Sequence, residues 1–450
     1  MKRVVTDQAV VGAGPVGALV AVALANTGRA VTLLEEDPAF GCHFAGEWLH
    51  PRGVQLLEKY GIRLEETSRD DVSSGKGFAV FPDDGSEPIL LEDAGHREGL
   101  AFERSALMEI LRKHCEDHPG IQYVPFAKVL RAEGGRLEGR GGALGEEWEL
   151  QAQRIVGADG RKSLVRRAQC RERGTRLISY MVGVKLKDVD LPFEGFGHVI
   201  LGGPGPVLIY RIGRDSVRLC FDVPEELFRK CHADGIQPHL EKIPRELRAL
   251  VRAELAANRY AVRPNQFRPR VYYGSAGMPL IGDAVGFQHP LTAMGMTLGF
   301  EDADCLVRSR DFQTFERERV SRTIVPELLA LALYEAFSRK DAGAASVRRA
   351  IYRMWRSYSV ERERTMKLLC GEETNLFRFG QSFLRGAQLA LFHSFLAGDS
   401  LMGTSREVFG TMGSIGKILC LLSKPSTSRI LPLGHVLAAG MLGPATAGAD

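Results

Sequence analysis

Ala9-Val-Val-Gly-Ala-Gly-Pro-Val-Gly17 decides how this chain is to be read. Ala9–Val11 is a short buried-strand pattern, and an alanine-rich helix, Ala18–Asn26, follows the glycines and is stopped by Gly28. Val31–Leu34 is a second strand, ending in Glu35. Strand, glycine turn, helix and second strand in this order form a dinucleotide-binding βαβ unit. Gly12 permits the tight turn, Gly14 lets the backbone approach a pyrophosphate, and Gly17 lets helix and strand pack closely. Glu35 lies 23 residues beyond Gly12, where a carboxylate can hold both hydroxyls of a ribose. A glycine-rich structural turn is the bland alternative, and it leaves the acid and the second strand unexplained.

The dinucleotide could be NAD or FAD. A βαβ unit at the extreme N-terminus, with the rest of the site coming from far downstream, favours FAD, whose flavin end must be held by distant segments. Two such segments stand out. One is Gly157-Ala-Asp-Gly-Arg-Lys-Ser163, after the strand Arg154–Val156. The other is Pro279-Leu-Ile-Gly-Asp-Ala-Val-Gly-Phe-Gln-His-Pro-Leu-Thr-Ala-Met-Gly-Met296. It joins a strand end, an acidic turn at Gly282-Asp283, a His289-Pro290 loop and a helix opening at Gly295-Met296. A turn carboxylate can accept hydroxyl protons, and free N–H groups at a helix start can face an anion or a polarised carbonyl. Asp283 as a plain helix cap is the alternative for this stretch alone.

Composition narrows the class. With 450 residues, 44% hydrophobic and 25% charged, the chain is an ordinary globular protein with room for more than one domain. Its net charge of +4 gives no nucleic-acid signal. The 8 cysteines are scattered without a CxxC pair, so neither a metal framework nor a disulfide scaffold is expected. No leader pattern precedes the first strand, and no apolar run is long enough to span a membrane. A cytoplasmic location is expected, with peripheral attachment to the cytoplasmic membrane face as an extension of it.

The remaining pattern places the FAD-binding domain in three pieces, residues 1–75, 97–175 and 270–310. Within it the helices Val54–Tyr60 and Ser105–Glu116 are expected, and Val124–Leu130, Arg136–Glu138 and Glu147–Ala152 read as a small sheet. Residues 76–96 and 176–269 form a substrate-binding sheet domain. Its strands are Lys76–Phe81 and Glu87–Leu91 around an Asp83-Asp84-Gly85 turn, then Leu177–Leu186, His198–Leu201, Val207–Ile212 and Val217–Val223. Glu225–Asn258 is helical and charged, and Arg270–Tyr273 and Pro279–Ile281 return to strand. Residues 311–442 are a helical region and 443–450 a disordered tail. In that region the arginines 348, 349, 353, 356, 362 and 364 read as a solvated face with glutamate partners. Leu376–Leu396 carries Leu376, Phe383, Leu384, Leu391, Phe392 and Phe395 on one side, and Ile418–Leu422 and Ile430–Leu442 are further apolar pieces. Such helices either cap the core or lie on a membrane surface. The fold class is α/β with an α+β insert: a Rossmann-like domain, an antiparallel substrate sheet and C-terminal helices.

GxGxxG with its downstream acid, Gly157-Ala-Asp-Gly with Arg161, and Gly282-Asp283 stand in the order that resembles the aromatic-hydroxylase-type (group A) FAD-dependent monooxygenases. Within that superfamily, Gly46-Glu-Trp-Leu-His-Pro51 and His289-Pro-Leu-Thr-Ala-Met-Gly-Met296 look like squalene epoxidase. Bacterial monooxygenases of prenylated quinolones or quinones are equally plausible relatives. The resemblance implies cofactor contacts at Gly12, Gly14, Pro15, Val16 and Gly17, and at Glu35 and Glu36 near the adenosine. It implies further contacts at His43, Trp48, Val129 and Asp159. Arg104 would approach the diphosphate or ribityl, and Gly282 and Asp283 the ribityl–diphosphate region. Pro290, Gly295 and Met296 would lie at the flavin, Met296 through its backbone N–H. Three positions depart from the epoxidases: His43 replaces an arginine, His50 a glutamine, and Phe78 a tyrosine that supports the flavin through that glutamine.

In such enzymes NAD(P)H, directly or through a partner flavin reductase, reduces FAD. Reaction with O2 then gives a C4a-hydroperoxide whose terminal oxygen is attacked by an electron-rich alkene or ring. No nucleophilic side chain is needed, which fits the absence of Ser-His-Asp, HExxH and metal spacings from the sequence. His50, Trp48 and Phe78 are the candidate catalytic-pocket residues. His50 could titrate near neutrality but reads equally as a core histidine, and Trp48 and Phe78 read as walls that keep the pocket dry. Met294, beside Gly295, is expected to line the same pocket. Arg161 and Arg166 could meet reductant phosphates or merely neutralise a helix surface. The expected function is epoxidation or hydroxylation of a lipophilic isoprenoid or prenylated aromatic. Competing readings are an isoprenoid double-bond reductase and a flavin-binding scaffold. The isolated Trp48, Trp148 and Trp355 speak against a halogenase motif.

Overall fold

Ala9, Val10 and Val11 are almost fully buried because the strand that carries them lies inside a sheet. In the computed structural model, which describes residues 2–39, 46–64, 72–92, 98–170 and 174–396, with no side chains at 233, 234, 383, 387 and 389–396, this strand is β1 (Lys2–Val11). It is followed by α1 (Pro15–Ala25) and β2 (Val31–Leu34). Small apolar residues let α1 bury all but one of its residues, so it is a core helix rather than an amphipathic one. Next come β3 (Trp48–Leu49), α2 (Pro51–Lys59), β4 (Val72–Gly75), β5 (Gly77–Phe81), β6 (Ile89–Glu92) and β7 (Gly99–Phe102). Then follow α3 (Arg104–Asp117), β8 (Ile121–Val124), β9 (Lys128–Glu133), β10 (Arg136–Arg140) and β11 (Trp148–Gly157).

The first sheet has the order β8-β2-β1-β11-β10-β9. β1 runs parallel to both neighbours, with Val11 opposite Leu34 on one side and Gly157 on the other. Two expectations change here. β1 starts at Lys2, seven residues earlier than its apolar run, because pairing with β11 from Lys2↔Trp148 onward holds its polar half in line. The segments Glu147–Ala152 and Arg154–Val156 are not two strands but the single β11. The expected small sheet is therefore one edge of the dinucleotide sheet.

After α4 (Leu164–Gln169) come β12 (Arg176–Lys187), β13 (Phe196–Ile200), β14 (Val207–Arg211) and β15 (Ser216–Pro224). The helices α5 (Glu225–Cys231), α6 (Gln237–Leu240) and α7 (Arg245–Ala256) precede β16 (Tyr260–Phe267). The second sheet has the order β16-β12-β15-β14-β13-β5-β6, so the 77–92 hairpin joins strands from far downstream. β16 was not expected, because Pro264 interrupts its pattern; it is an edge strand, where a proline is tolerated. Arg270–Tyr273 and Pro279–Ile281, expected as strands, make only the isolated bridges Gly157↔Leu280 and Gly274↔Pro279.

The chain continues as α8 (Gly295–Arg308), α9 (Phe312–Ser338), α10 (Ala342–Ser357), α11 (Ser359–Leu369) and α12 (Leu376–Leu396). A buried apolar cluster joins α9, α10, α11 and α12 to Trp48 and Phe78, while α8 packs into the core of the dinucleotide domain. The arginine-rich face is not uniformly solvated, as it was expected to be. Arg348 is 5% exposed and donates to Asp83 Oδ2 at 2.8 Å and to the carbonyls of Ala336 and Arg339. Tyr352 donates to the other Asp83 oxygen at 2.9 Å, so the β5–β6 turn ties α10 to the second sheet. No described helix is long and apolar enough to cross a membrane. The expected apolar pieces beyond residue 396 and the tail lie outside the described residues.

Candidate active site

Gly12 adopts φ +96°, and a Cβ there would stand 2.6 Å from the Ala158 carbonyl oxygen. A Cβ on Gly17 would stand 1.8 Å from the Gly12 carbonyl oxygen. A Cβ on Gly14 would meet nothing within 4 Å. Two glycines are therefore fixed by the protein's own packing, while the third faces open space. That space belongs to a cavity of about 950 Å³ lined there by Gly14, Pro15 and Val16. No side chain caps the α1 N-terminus, so its first-turn N–H groups remain available to an anion.

The same cavity reaches Asp283, Pro290, Gly295 and Met296. Asp283 sits in a short 3-10 turn after the bridge at Leu280, and Arg161 Nε approaches its Oδ2 at 3.2 Å. Helix α8 also lacks a side-chain cap, and a Cβ on Gly295 would meet nothing within 4 Å. Two uncapped helix starts, one at each part of a single cavity with a carboxylate between them, suit a ligand with a diphosphate, a hydroxylated chain and a polar ring. FAD fits that description. Arg104 lies in the wall, partly buried, and its desolvation holds its guanidinium below the usual range.

Beyond Met296 the cavity opens between Trp48, Phe78, Met181, Leu208 and Tyr210. Trp48 packs against Phe78 with ring centroids 5.3 Å apart and meets Tyr210 edge-on at 6.1 Å. Beside this apolar wall is a buried ion pair, whose carboxylate residue also lines the cavity. Arg218 donates through Nε to Glu47 Oε2 at 2.9 Å and through Nη2 to Oε1 at 2.7 Å, and the Tyr210 hydroxyl donates to Oε2 at 3.2 Å. Burial acts against the Arg218 charge, but the Glu47 carboxylate outweighs it and holds the guanidinium above its usual range.

His50 is buried, and its imidazole does not line the cavity. Its Nε2 lies 2.8 Å from the Thr292 carbonyl oxygen, so Nε2 carries the proton and Nδ1 faces the Cys370 thiol at 3.5 Å. Burial lowers its pKa to about 4, the Thr292 contact opposing. This imidazole is neutral near pH 7 and pins the start of α2 to the Thr292 loop. It also meets Phe78, with centroids 6.0 Å apart. The two described positions that depart from the epoxidase pattern are thus neighbours, in ring contact with each other.

The structure brings together Gly14, Pro15, Val16, Trp48, Phe78, Arg104, Asp283, Pro290, Gly295 and Met296 around one cavity. Gly12, Gly17 and Gly282 act behind its surface. Glu35 accepts from the Ala13 and Asp37 N–H groups at 2.7 and 2.9 Å and supports the turn rather than lining the cavity. Glu36 pairs with Lys128, the neighbour of Val129 on β9, away from the wall. Asp159 Oδ2 accepts from Leu164 N–H at 2.6 Å, at the start of α4. His43 lies outside the described residues. Arg166 is buried and donates to the Ala284 and Arg161 carbonyls, so the reading of it as a surface charge is corrected. Glu47, Tyr210 and Arg218 went unnoticed in the sequence. Tyr210 and Arg218 are direct cross-strand partners, but only the β14–β15 register reveals it.

This fold and this cavity are those of an FAD-dependent monooxygenase, with NAD(P)H as electron donor and O2 as co-substrate. A family model described as squalene epoxidase matches residues 151–396, and one described as an NAD(P)-binding Rossmann-like domain matches residues 10–73. The chain belongs to the squalene epoxidase family. It is 28% identical to a squalene epoxidase of Aspergillus fumigatus, over 77% of this chain and 78% of that one. Among solved structures, p-nitrophenol 4-monooxygenase from Pseudomonas putida superimposes with a TM-score of 0.65 at 18% identity, covering 83% of this chain and all of that one. A probable FAD-dependent monooxygenase from Pseudomonas aeruginosa gives 0.56 at 18% identity, over 80% and 99%. At these identities the structural likenesses speak for the fold.

Proposed function

We propose that this enzyme adds one oxygen atom to an electron-rich double bond or ring of a lipophilic isoprenoid or prenylated aromatic. The observation that carries this reading is the apolar chamber of Trp48, Phe78, Met181 and Leu208, continuous with the dinucleotide turn through Gly295-Met296. Bound FAD supplies the oxygen-activating chemistry. Gly14 and the first turn of α1 would receive its diphosphate, with Glu35 bracing that turn through the Ala13 N–H, and Asp283 and Arg104 would hold the middle of the molecule. The start of α8 presents N–H groups to the flavin ring. Trp48 and Phe78 orient the substrate chain and exclude water, which protects an oxygenating site from wasteful breakdown. His50, neutral and engaged on both ring nitrogens, holds this wall in place and moves no proton.

Relatives named squalene epoxidase or squalene monooxygenase support an isoprenoid substrate. A separate reductase delivers the electrons, and the exposed Val360 and Phe377 on the C-terminal helices support contact with a membrane surface, from which a lipophilic substrate would enter. The test combines purified protein with NADPH, with and without a flavoprotein reductase, and a panel of squalene, a prenylated quinone and a prenylated quinolone. A product heavier by one oxygen, formed only in air, is expected. A saturated product formed without air would replace this reading with double-bond reduction. Co-sedimentation with phospholipid vesicles tests the membrane contact.

A further inference from the structure

The Gly282–Gly286 turn is irregular backbone inside the protein, and such backbone needs a partner for every polar group. Side chains supply them. Asp302 Oδ2 accepts the Gly282 N–H at 2.8 Å. Arg270 Nη1 donates to the Gly282 carbonyl at 3.0 Å and to the Gly286 carbonyl at 2.9 Å, bridging the two ends of the turn. Its Nη2 pairs with the same Asp302 oxygen that holds the amide. Arg166 Nη1 holds the Ala284 carbonyl at 2.7 Å from α4. The bracket is anchored in turn: Arg319 on α9 donates through Nε to Asp302 Oδ1 at 2.7 Å, through Nη1 to Glu301 Oε2 at 3.1 Å and through Nη2 to the Leu298 carbonyl at 3.2 Å.

Asp302 lies seven residues after Gly295 on α8, so both stand on one face of the same rigid helix. The carboxylate that fixes the Asp283 turn and the helix start that opens on the cavity therefore belong to one rigid element. Buried ion pairs are weak contributors to stability and are better suited to specifying a geometry. Here Arg270, Arg319 and Asp302 are all nearly inaccessible, and what they fix is the distance between two walls of the cavity.

We propose that Asp302 and Arg270 are positioning residues for the cofactor: they set where the Asp283 carboxylate stands relative to the first turn of α8. This rests on the reading of Asp283 as the residue that holds the middle of FAD. Asp302→Asn keeps the size and an acceptor for Gly282 N–H but removes the charge that orients Arg270. Arg270→Lys keeps a positive charge beside Asp302 but cannot bridge both carbonyls. Asp304→Asn, two positions on and facing Lys59 and Arg308, is the control.

The test measures FAD dissociation and the flavin midpoint potential of each folded holoenzyme well below its melting temperature. Both bracket variants are expected to bind FAD about tenfold more weakly and to shift the potential, a typical size for residues that act by holding other groups in place. Asp304→Asn is expected to change neither. A loss of thermal stability with both flavin readouts unchanged, in whichever bracket variant folds, overturns the proposal. If Asp283→Ala loses flavin while the bracket variants keep it, the proposal alone fails. If Asp283→Ala itself keeps its flavin, the underlying reading of Asp283 fails.

Discussion

Glu47 is gripped by two nitrogens of the Arg218 guanidinium, at 2.9 and 2.7 Å, and accepts from the hydroxyl of Tyr210, which lines the substrate chamber with it. Both side chains come from segments that also shape the cavity, one from the strand pair β14–β15 and one from the loop before β3. Removing one partner leaves a buried, uncompensated charge. Arg218→Met is expected to destabilise the holoenzyme by about 3–5 kcal/mol in chemical denaturation. Tyr210→Phe removes one hydrogen bond to a charged group and is expected to cost about 1.5–3 kcal/mol. The double change Glu47→Gln with Arg218→Met should recover part of the loss, because no charge is then left buried.

Gly14 and Gly17 separate packing from binding in the same turn. At Gly17 a methyl would overlap the Gly12 carbonyl at 1.8 Å, and the obstacle is backbone. Gly17→Ala is expected to destabilise even the flavin-free protein by about 3 kcal/mol, the upper end for overpacking. At Gly14 the backbone has φ −66° and a methyl meets no protein atom. Gly14→Ala is expected to leave the melting temperature of the flavin-free protein unchanged and to weaken FAD binding. Calorimetry of stripped protein and flavin titration check the two outcomes.

The dinucleotide unit was legible because its signals are local: β2 has the residues its apolar run predicts, and Gly12 and Gly17 each have a steric reason in the packing of the turn. The antiparallel strands β12 to β15 were legible for the same reason. What could not be read depends on partners distant in the chain. β11 is one strand only because β1 lies beside its whole length. Arg166 and Arg348 look like surface charges in sequence, and burial beside carbonyls and Asp83 makes them internal ties. His50 sits in a motif beside site residues, yet its ring turns to Thr292 and Cys370, a contact 242 and 320 residues away.

His50 gives a test with a definite sign. Burial lowers its pKa to about 4 in the folded protein, against an ordinary value of 6.5. Its contribution to stability is present above pH 6.5 and is lost as pH falls toward 4, where the unfolded chain takes up a proton that the folded chain refuses. The size is on the order of 3 kcal/mol at the bottom of this window. His50→Gln is expected to lessen the acid sensitivity of the melting temperature between pH 6.5 and 4. The shape of the turnover profile between pH 6.5 and 8.5 should not change, since the imidazole is neutral throughout.

Glu327 has the opposite sign. Burial raises its pKa from 4.5 to about 7, opposed by the Arg270 N–H, which donates to its Oε1 at 2.7 Å, and by the Arg270 charge. The folded protein holds this proton more tightly than the unfolded chain does. The stabilisation is therefore complete below pH 4.5 and is lost as pH rises through 7, where a further carboxylate charge appears beside the Arg270–Asp302 bracket. The loss is roughly 3 kcal/mol across the window. Glu327→Gln retains an acceptor for Arg270 N–H and cannot ionise. Its unfolding free energy, compared with that of the unaltered protein at matched pH, is expected to gain steadily from pH 4.5 to about 7 and to stay level above. A constant difference across that range would show that Glu327 is ionised in the fold throughout, with the Arg270 charge outweighing burial.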